Sequence, residues 1–489
     1  MKLVLATAAV GVALYIVYRR RRVSAEEGEP QWLRDPDTPP SSPQSGSSLP
    51  SRRSYSPLVF RSNSNQPVVA DEMVIDTPVA RKHLHTVKHT LSKNTDALQL
   101  WVADMELESP PHVVDAIVQR ASEPTFGYTI QPSLIWTRVA SWLVAHQNWA
   151  HAPSPDAFIF SANVVVSFCN ALRALTREGD AVVVMVPSYQ PLQQCVSGSG
   201  RRLVLHPLTR AADGTFEMNL PALAATLRHE GATALLLLSP HNPGGRVWRT
   251  DELMALADAC AENDVLVVSD EIWADWVLPG PSGLAGKDGF VPFSRVANRC
   301  RHITLNAPTK TFNLAGLHAS FLVIEQPALR RAYLAYVEPA TMHFGSAFAT
   351  TALLAAYDDQ PSRAWLRAAT AHVRANATWL TAELNARLPG LVSALPLQAT
   401  YLIWLDFAGL VAALELTRDG GDDLEEFVLR EAGLCLSPGS EFDPTGASDA
   451  CMRLNAACPR GMIEEAAQRL CDAVEARRSA RQASSRTST

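Results

Sequence analysis

Cysteine is scarce in this chain and is never grouped. The 489 residues contain 8 cysteines, which lie far apart between Cys169 and Cys471 and form no Cys-x-x-Cys pair. A structural zinc site needs closely spaced Cys or His ligands, and a disulfide framework needs many cysteines in a short chain. We therefore expect no metal site, no disulfide framework and a reducing compartment.

An excess of positive charge is also missing. Lys and Arg total 43 against 49 Asp and Glu, which gives a formal net charge of −6 at pH 7. A protein that binds nucleic acid needs a basic surface to neutralise the phosphates, so nucleic acid is not expected as a partner. The composition, 47% hydrophobic and 19% charged, is that of a globular protein long enough to bury a large core.

One long hydrophobic run stands at the amino terminus. It extends from Leu3 to Tyr18 and is followed at once by four arginines, Arg19 to Arg22. The run predicts a short membrane anchor over residues 1–22. Because positive charge stays on the cytoplasmic side, the rest of the chain is expected to face the cytosol. A cleavable signal peptide needs small residues where the arginines stand, and an interfacial leader is the other alternative.

Two segments are too polar to fold alone. Residues 23–66 are rich in Ser, Pro, Arg and Glu and poor in apolar residues, so burial cannot offset the entropy lost on ordering. We predict a disordered linker there and a similar disordered tail at residues 477–489. The folded unit is expected between them, at residues 67–476.

The middle of the chain alternates between strand-like and helix-like patterns. Between about residues 155 and 330, short apolar runs rich in β-branched residues precede helical patterns, which is typical of a mostly parallel sheet covered on both faces. This alternation predicts an α/β domain. The runs are AFIF (157–160), AVVVMV (181–186), ALLLL (234–238), VLVV (265–268), HITL (302–305) and FLVI (321–324).

Chemically active side chains follow several of these runs. Ligands of such sheets bind beyond the carboxyl ends of the strands, so the residues that follow the runs are expected to meet at one edge. They comprise an aromatic ring, an amide, a carboxylate, an amine and the backbone of a helix start. These candidates are Tyr189, Asn242, Asp270, Lys310, Val164 and Val165.

The candidates fit the chemistry of a pyridine cofactor that carries an aldehyde and a phosphate. A lysine that forms an imine must be partly neutral, which burial at a strand end promotes, and Lys310 fits this role. A carboxylate such as Asp270 beneath a pyridine nitrogen keeps that ring protonated so that it accepts electrons. Asn242 suits the phenolic oxygen, Tyr189 suits the ring face, and backbone donors at the helix start suit the phosphate. Taken singly, a solvated lysine, a helix cap, a turn and a core aromatic would explain the same residues.

Six segments carry a family resemblance. SPHNPGGRVW, VVSDEIWADWV and APTKTFNLAGLHASF resemble the asparagine, aspartate and lysine blocks of the fold-type I aminotransferases, which use pyridoxal 5'-phosphate. LQLWVADMELESPPHVVDAI, FGYT and MRLNAACPR resemble segments of the cystathionine β-lyase and C–S lyase branch, the MalY/PatB-like proteins. The resemblance covers about residues 70–475.

The resemblance implies a fold and an assembly. The fold is an α/β fold of type I, with a mostly parallel sheet of the seven-stranded type in a large domain at about residues 110–350. A smaller α+β domain is implied for residues 67–109 and 351–476, so that residues 67–476 form one catalytic unit. A homodimer with composite active sites is also implied.

The resemblance further implies roles for single residues. Lys310 forms the Schiff base with the cofactor, Asp270 contacts the pyridine nitrogen, and Asn242 contacts the O3' oxygen. The other implied roles are ring stacking by Tyr189, phosphate contacts by Val164, Val165 and Thr309, a phosphate contact across the dimer interface by Tyr128, substrate carboxylate binding by Arg453, and lining of the substrate entrance by Trp101 and Asp104. For Trp101 and Asp104, packing and capping explain the residues equally well.

Two positions depart from the family pattern. Trp273 stands three residues after the aspartate, where many relatives carry Tyr or His, and Ala307 stands three residues before the lysine, where some aminotransferases carry Ser. Because Trp donates only through its indole N–H, we expect the electronics of the cofactor and the fit of the substrate to differ. One phosphate contact is expected to be missing.

The resemblance favours one reaction and leaves two alternatives open. The favoured reaction is α,β-elimination on an L-cysteine S-conjugate such as cystathionine, giving a thiol, pyruvate and ammonia, with Lys310 as the base that removes the Cα proton. Transamination uses the same groups and differs only after proton removal. The alternative of another class is a membrane-tethered scaffold or regulator that keeps the fold without turnover.

Overall fold

The computed structural model covers most of the predicted folded unit. The described residues are 75–77, 79–278, 289–297, 299–416 and 423–487. They belong to one compact unit, Val68–Thr489. The predicted anchor at residues 1–22 and the predicted linker at residues 23–66 lie outside the described residues. Within the described ranges, no helix combines the length and the apolar character needed to cross a membrane.

The strands are short. In chain order, the described strands are β1 (Leu98–Gln99), β2 (Phe158–Ser161), β3 (Ala181–Val186), β4 (Arg202–Pro207), β5 (Thr209–Arg210), β6 (Phe216–Glu217), β7 (Ala232–Leu238), β8 (Leu266–Asp270), β9 (His302–Asn306), β10 (Ser320–Val323), β11 (Ser393–Ala394), β12 (Leu402–Asp406), β13 (Leu434–Cys435), β14 (Ser437–Pro438) and β15 (Cys451–Asn455).

Helices occupy most of the remaining chain. The described α-helices are α1 (Val87–Thr90), α2 (Pro111–Ser122), α3 (Ser133–His146), α4 (Val164–Leu175), α5 (Gln190–Gly198), α6 (Leu220–His229), α7 (Thr250–Glu262), α8 (Pro308–Thr311), α9 (Pro327–Val337), α10 (Ala347–Ala356), α11 (Asp359–Arg387), α12 (Ala408–Leu414), α13 (Leu424–Glu426) and α14 (Arg460–Thr487). A π-helical turn at Phe427–Glu431 follows α13.

Seven strands form the central sheet, in the order β2–β10–β9–β8–β7–β3–β4. Strand β10 is antiparallel to β2 and β9, whereas the other neighbouring pairs are parallel. Strands β3 and β8 are buried along their whole length, as expected where helices cover both faces. The prediction of a mostly parallel, seven-stranded α/β sheet is confirmed.

Successive residues of each central strand belong to two different hydrophobic cores, one on each face of the sheet. Val183 and Leu235 pack with helices α6 and α7, whereas the next residues along each strand, Val184 and Leu236, pack with α4, α5 and α9. Successive side chains of a strand point to opposite faces. Because both faces are covered, the sequence of these strands is continuously apolar rather than alternating.

A second sheet, β11–β12–β15–β14, is antiparallel throughout. Its strand β15 is fully buried and places Arg453 opposite Trp404 of β12 and Ser437 of β14. This sheet is formed by the part of the chain predicted to belong to the smaller domain. The division of the unit into a large and a small domain stays a prediction.

The chain that precedes the central sheet pairs with the chain that follows it. Strands β1 and β13 are parallel, with Leu98 opposite Leu434. The backbone N–H of Asn455 in β15 donates to the carbonyl oxygen of Leu100 at 2.9 Å. Residues 101–106, which we call the strap, therefore begin directly beside the strand that carries Arg453.

The carboxyl-terminal residues differ from the prediction. Residues 477–489 were expected to be disordered because they are polar, but helix α14 continues to Thr487. Its Ala, Arg and Gln residues favour helix, and Arg481 contacts the carbonyl oxygen of Leu414 and the carboxylate of Glu415. The prediction of a disordered tail is therefore wrong up to Thr487, because the composition does not show the distant residues that Arg481 contacts.

Candidate active site

The carboxyl ends of the central strands place the predicted polar residues at one edge of the sheet. Asp270 is the last residue of β8 and lies opposite Leu238 of β7 and Leu305 of β9. Asn242 follows β7 in the next turn, and Lys310 follows β9 on helix α8. Because β8 and β9 are parallel neighbours, Asp270 and Lys310 both follow strand ends at the same edge of the sheet.

Lys310 carries an enclosed amine. Its Nζ donates a hydrogen bond to the carbonyl oxygen of Ala103 at 2.6 Å and lies 5.8 Å from the centre of the Trp273 ring. Burial lowers the pKa of the Lys310 amine to about 8, although the charges of Asp104 and Asp270 oppose this change. The amine is therefore partly neutral near neutral pH, and the neutral form is the one that condenses with an aldehyde.

Asp270 is a buried carboxylate whose surroundings favour a cationic ligand. The backbone N–H of Ile272 donates to its Oδ1 at 3.1 Å. Burial raises the pKa of Asp270 to about 7, an effect that the Ile272 hydrogen bond and the charge of Lys310 only partly offset. A protonated pyridine nitrogen would supply the missing positive charge. The carboxylate therefore fits the ring of the expected cofactor.

The start of helix α4 fits the phosphate of that cofactor. The Asn163 side chain accepts a hydrogen bond from the Val166 N–H at 2.9 Å, while the N–H groups of Val164 and Val165, in the first turn, have no partner within the helix. Such groups and the helix dipole attract anions. Thr309 is buried on α8, and its contact with the phosphate stays a prediction.

Tyr189 immediately precedes helix α5. Burial raises the pKa of its phenol, and the charges of Arg453 and Asp270 also act on it. Tyr189 follows strand β3, so it stands at the edge of the central sheet at which Asp270 ends β8. Its stacking on the cofactor ring stays a prediction that this position supports.

Arg453 and Asn242 are hydrogen bonded to each other. Arg453 Nη1 donates to Asn242 Oδ1 at 3.1 Å, and Nη2 donates to the carbonyl oxygen of Trp101 at 2.9 Å. Burial lowers the pKa of Arg453 to about 10, with the charge of Glu441 acting in the opposite direction, so the guanidinium remains charged at neutral pH. Among the described residues, its buried Nε has no hydrogen-bond partner. A charged and incompletely bonded guanidinium in a cleft suits a substrate carboxylate.

Trp101 and Asp104 are tied into the protein rather than free in the cleft. The Trp101 indole donates to the carbonyl oxygen of Lys88 at 3.0 Å. The Asp104 carboxylate forms ion pairs with Arg81 at 2.6 Å and Lys88 at 2.8 Å. Both side chains therefore hold the strap in place, and the lining of the substrate entrance by them stays a prediction.

Tyr128 is not part of the cleft formed by this chain. Its side chain is fully exposed, at 106% of the reference area, and the neighbouring Thr129 forms a β-bridge with Gly345. The role across a dimer interface stays a prediction.

Three polar residues that hold the strap were missed by the sequence reasoning. Asn455 donates to the carbonyl oxygens of Val102 at 2.8 Å and Asp104 at 2.6 Å. The Tyr401 hydroxyl donates to that of Ala103 at 3.1 Å, and Lys88 is almost fully buried. Lys88 and Tyr401 lie outside the motifs quoted above, so the sequence carried no signal for them. Asn455 follows Arg453 by two positions in the same motif, and this was the one available signal.

Asp275 is a further buried acid that the sequence reasoning missed. Its carboxylate accepts hydrogen bonds at 2.9 Å from the side chains of Trp142, Gln147 and Thr311. Burial raises the pKa of this carboxyl despite these bonds. Thr311 is the neighbour of Lys310 on α8, so Asp275 anchors the lysine helix. In the sequence, Asp275 is the one charged residue of the apolar segment IWADWV, and this pattern was the signal for a buried acid.

His241 has a structural role. Its Nε2 lies 2.9 Å from the carbonyl oxygen of Pro187, and the N–H of Gly244 donates to Nδ1 at 3.3 Å. These partners require a neutral ring with its proton on Nε2. Burial lowers the pKa of His241 to about 4, so the ring stays neutral while it holds the turn that contains Asn242.

Known proteins are similar to this chain over most of its length. The model of the aminotransferase class I and II family matches residues 96–470. Cystathionine beta-lyase PatB of Bacillus subtilis is 33% identical over 380 residues, which cover 77% of this chain and 92% of PatB. Protein MalY of Escherichia coli is 30% identical over 383 residues, which cover 78% of this chain and 92% of MalY.

A solved structure gives the same picture. Cystalysin from Treponema denticola, whose crystal structure contains a pyridoxal 5'-phosphate cofactor, superposes with a TM-score of 0.73 at 27% sequence identity. The superposition covers 82% of this chain and 99% of the cystalysin chain. The similarity thus spans both sheets and the strands that carry the candidate site.

Proposed function

Because this chain belongs to the aminotransferase class I and II family, we propose that it is a pyridoxal 5'-phosphate-dependent carbon–sulfur lyase of the cystathionine β-lyase kind. PatB, a cystathionine beta-lyase, is matched over 92% of its length. The observation that carries the proposal is that an enclosed amine, Lys310, and a buried carboxylate, Asp270, follow neighbouring parallel strands at one edge of the central sheet. The substrate is an L-cysteine S-conjugate, and the products are a thiol, pyruvate and ammonia.

Four side chains have distinct tasks toward the cofactor. Pyridoxal 5'-phosphate, when bound, supplies an aldehyde that condenses with amines and a pyridine ring that withdraws electrons from the substrate Cα. Lys310 holds the cofactor through its amine. Asp270 keeps the ring nitrogen protonated, Asn242 donates its amide N–H to the O3' oxygen, and Tyr189 covers the ring.

Two of the chain's residues act on the substrate. Arg453 binds the α-carboxylate through its parallel N–H groups, which orients the amino acid in the cleft. Lys310, once its amine is free, removes the Cα proton, because a pKa of about 8 leaves part of it neutral and basic. The electrons of that C–H bond form a Cα–Cβ double bond as the C–S bond breaks and the sulfur leaves.

One assay separates elimination from amino-group transfer. Purified protein supplied with cystathionine and no keto acid is expected to release pyruvate and ammonia in equal amounts. Lys310→Ala is the matched control and is expected to lose both this activity and the absorbance of lysine-bound cofactor. Turnover that requires a keto acid would overturn the lyase assignment in favour of transamination, and cofactor binding without any turnover would overturn enzymatic function.

The active enzyme is a homodimer with composite sites. Tyr128 and three large apolar side chains near it or near helix α10 are exposed in the single chain, and such a patch of exposed apolar residues marks an interaction surface. A second copy would cover them and bring its Tyr128 to the phosphate. The exposed fractions are 62% for Phe126, 106% for Tyr128, 69% for Ile130 and 46% for Phe344.

Complementation tests the composite site. Tyr128→Ala and Lys310→Ala are each expected to be nearly inactive as pure dimers. A mixed dimer would combine an intact Lys310 with the intact Tyr128 of its partner at one of its two sites. Unfolding and refolding an equal mixture is therefore expected to restore about a quarter of the wild-type activity. No recovery, with mixed dimers present by mass spectrometry, contradicts the composite site.

The amino-terminal run tethers the enzyme to a membrane, with the catalytic unit in the cytosol. The support is the run from Leu3 to Tyr18 and the arginines that follow it. Fluorescently tagged full-length chain is expected at a membrane, and a variant without residues 1–22 is expected to be diffuse. The same distribution for both variants would overturn the anchor.

A further inference from the structure

Two buried cations hold the strap in place. Lys88 is 1% exposed. Its Nζ donates to the carbonyl oxygen of Asp104 at 2.7 Å and lies 2.8 Å from Asp104 Oδ1 and 2.9 Å from Glu106 Oε1. Arg81 binds the same two carboxylates at 2.6 Å and 2.8 Å. Two positive and two negative side chains are thus balanced in an enclosed space.

The strap offers its carbonyl oxygens to the active site. That of Ala103 accepts from Lys310 Nζ at 2.6 Å, and that of Trp101 accepts from Arg453 Nη2 at 2.9 Å. Lys88 holds the strap at two points, since its own carbonyl oxygen accepts from the Trp101 indole at 3.0 Å. Lys88 therefore contacts the segment that orients both active-site cations without reaching the reacting atoms.

From this arrangement we propose that Lys88 is a positioning residue for the active-site amine. Acting through the strap, it fixes the direction of the Lys310 side chain and, by its charge, the ease with which that amine takes up a proton. The inference rests on the proposed function, because Lys310 matters here as the amine that condenses with the cofactor. It adds to that function a residue that the motifs did not indicate.

The charges around Lys310 oppose one another. Burial lowers the pKa of the amine, Asp104 and Asp270 raise it, and Arg453 and Lys88 lower it. The hydroxyl of Tyr401 faces the same Ala103 carbonyl. Removing the Lys88 charge should therefore raise the pKa of Lys310, and removing the Asp104 charge should lower it. If Lys88 and Asp104 only held the strap in place, removing either one would change the pKa of the Lys310 amine in the same direction.

The test measures the protonation of Lys310 directly in the full-length apoprotein. Acetic anhydride acetylates only neutral amines, so the acetylation rate at Lys310, read by peptide mass spectrometry, reports the neutral fraction without any turnover. At neutral pH we expect about a threefold slower rate for Lys88→Met and about a threefold faster rate for Asp104→Asn. The double variant removes both charges and is expected to lie near wild type.

The matched control is a lysine of the same region that is exposed. Lys93 pairs with Glu425 and is 45% exposed, and Lys93→Met is expected to leave the rate at Lys310 unchanged. Changes in the same direction for Lys88→Met and Asp104→Asn, or no change in either, overturn the proposal. If one of these variants fails to fold, the direction of change in the other decides. Failure of the proposed function has a separate signature, the absence of lysine-bound cofactor absorbance in the wild-type protein.

Discussion

Lys310 and Tyr401 donate hydrogen bonds to the same carbonyl oxygen, that of Ala103, from 2.6 Å and 3.1 Å. The Tyr401 ring is buried and lies edge-on to the rings of Trp273 and Trp276, with centroids 4.6 Å and 4.9 Å away. The Trp276 indole donates to the backbone carbonyl of Lys310 at 2.9 Å. The cluster of Tyr401, Trp273 and Trp276 therefore contacts the backbone carbonyl of Lys310 through Trp276. Through the Tyr401 hydroxyl it also orients the Ala103 carbonyl that accepts from Lys310 Nζ.

We predict that Tyr401→Phe has a small effect on stability and a clear effect on turnover. The ring contacts remain, so the loss of one neutral hydrogen bond is expected to cost about 1 kcal/mol of unfolding free energy. The acceptor for the Lys310 amine is then held less firmly, and kcat should fall several-fold at a nearly unchanged KM. Urea unfolding and steady-state kinetics measure the two effects.

A second variant separates the hydroxyl from the ring. Tyr401→Leu also removes the edge-on contacts with Trp273 and Trp276, and it is expected to cost about 3 kcal/mol. If Tyr401→Phe proved as destabilising as Tyr401→Leu, the hydroxyl and not the ring would account for the stability that Tyr401 contributes. The proposal that the ring acts on stability and the hydroxyl on turnover would then be wrong.

The buried carboxylate of Asp270 should make the stability of the apoprotein depend on pH. Burial raises its pKa from 3.8 to about 7, so the folded protein binds more protons than the unfolded chain between these values. The stability contributed by this group is present below the unfolded pKa and is lost as pH rises through the folded pKa. The full loss is roughly 4 kcal/mol. We predict that Asp270→Asn apoprotein lacks this decline.

Urea unfolding of both apoproteins at about pH 5 and about pH 8 measures the difference. Asp270→Asn should gain stability relative to wild type as pH rises, and it should bind the cofactor more weakly because the ring nitrogen loses its partner. Asp156→Asn, at an exposed position, is the control and should show no such gain. A constant difference between Asp270→Asn and wild type at the two pH values contradicts the raised pKa.

Much of this site could be predicted from the sequence because its central residues follow strands. Asp270 and Lys310 come directly after continuous apolar runs, and the edge at which parallel strands end is fixed by the topology. The Lys88 cluster could not be predicted in this way. A lysine is rarely buried without a partner, and the partners Asp104 and Glu106 are brought to Lys88 only by the tertiary fold.

One further difference has the same origin. The helix that continues through Arg481 has the distant Glu415 as a partner, so local composition indicated disorder instead. Tyr128 is fully exposed in one chain, and its contact across a dimer interface, which only the family resemblance implied, stays a prediction. Local periodicity therefore predicted the strands, while contacts between distant segments were predicted only where a family motif supplied them.

The ion pair between Arg246 and Glu252 should matter far more for stability than exposed pairs. Both residues are 6% exposed, and Arg246 Nη2 donates to both carboxylate oxygens, at 3.0 Å and 2.9 Å. Removing one partner leaves a buried charge incompletely paired, so Arg246→Met is expected to cost about 3 kcal/mol. The control is Arg202→Met at the more exposed pair with Glu230, which should cost far less because solvent screens exposed charges.

Thermal and urea unfolding of the holoenzymes compare the two variants. The carbonyl oxygen of Arg246 accepts from the N–H of His241 at 2.8 Å and closes the turn that contains Asn242, so a loss of cofactor affinity should accompany the loss of stability in Arg246→Met but not in Arg202→Met. Equal costs for both variants would mean that Arg249, which lies 3.1 Å from the same Glu252 carboxylate, compensates for the missing guanidinium.

Contacts on several sides fix the geometry of the Arg453 guanidinium. Its two terminal nitrogens reach Asn242 and the strap, and its guanidinium carbon lies 4.6 Å from the centre of the Phe442 ring. Lysine keeps the charge but not the planar fork, so it cannot bind a carboxylate through two parallel N–H groups. We expect Arg453→Lys to raise KM about tenfold or more, with a smaller fall in kcat and unchanged absorbance of lysine-bound cofactor.

An S-conjugate of cysteamine, which lacks the carboxylate, tests whether this loss comes from carboxylate binding. Wild type and Arg453→Lys should process it equally slowly, because neither guanidinium nor amine then has an anion to bind. If Arg453→Lys were also slower on this compound, the guanidinium would act mainly by holding Asn242 and the strap. That outcome would place Arg453 beside Lys88 among the positioning residues, since both contact the strap and neither would need the substrate to exert its effect.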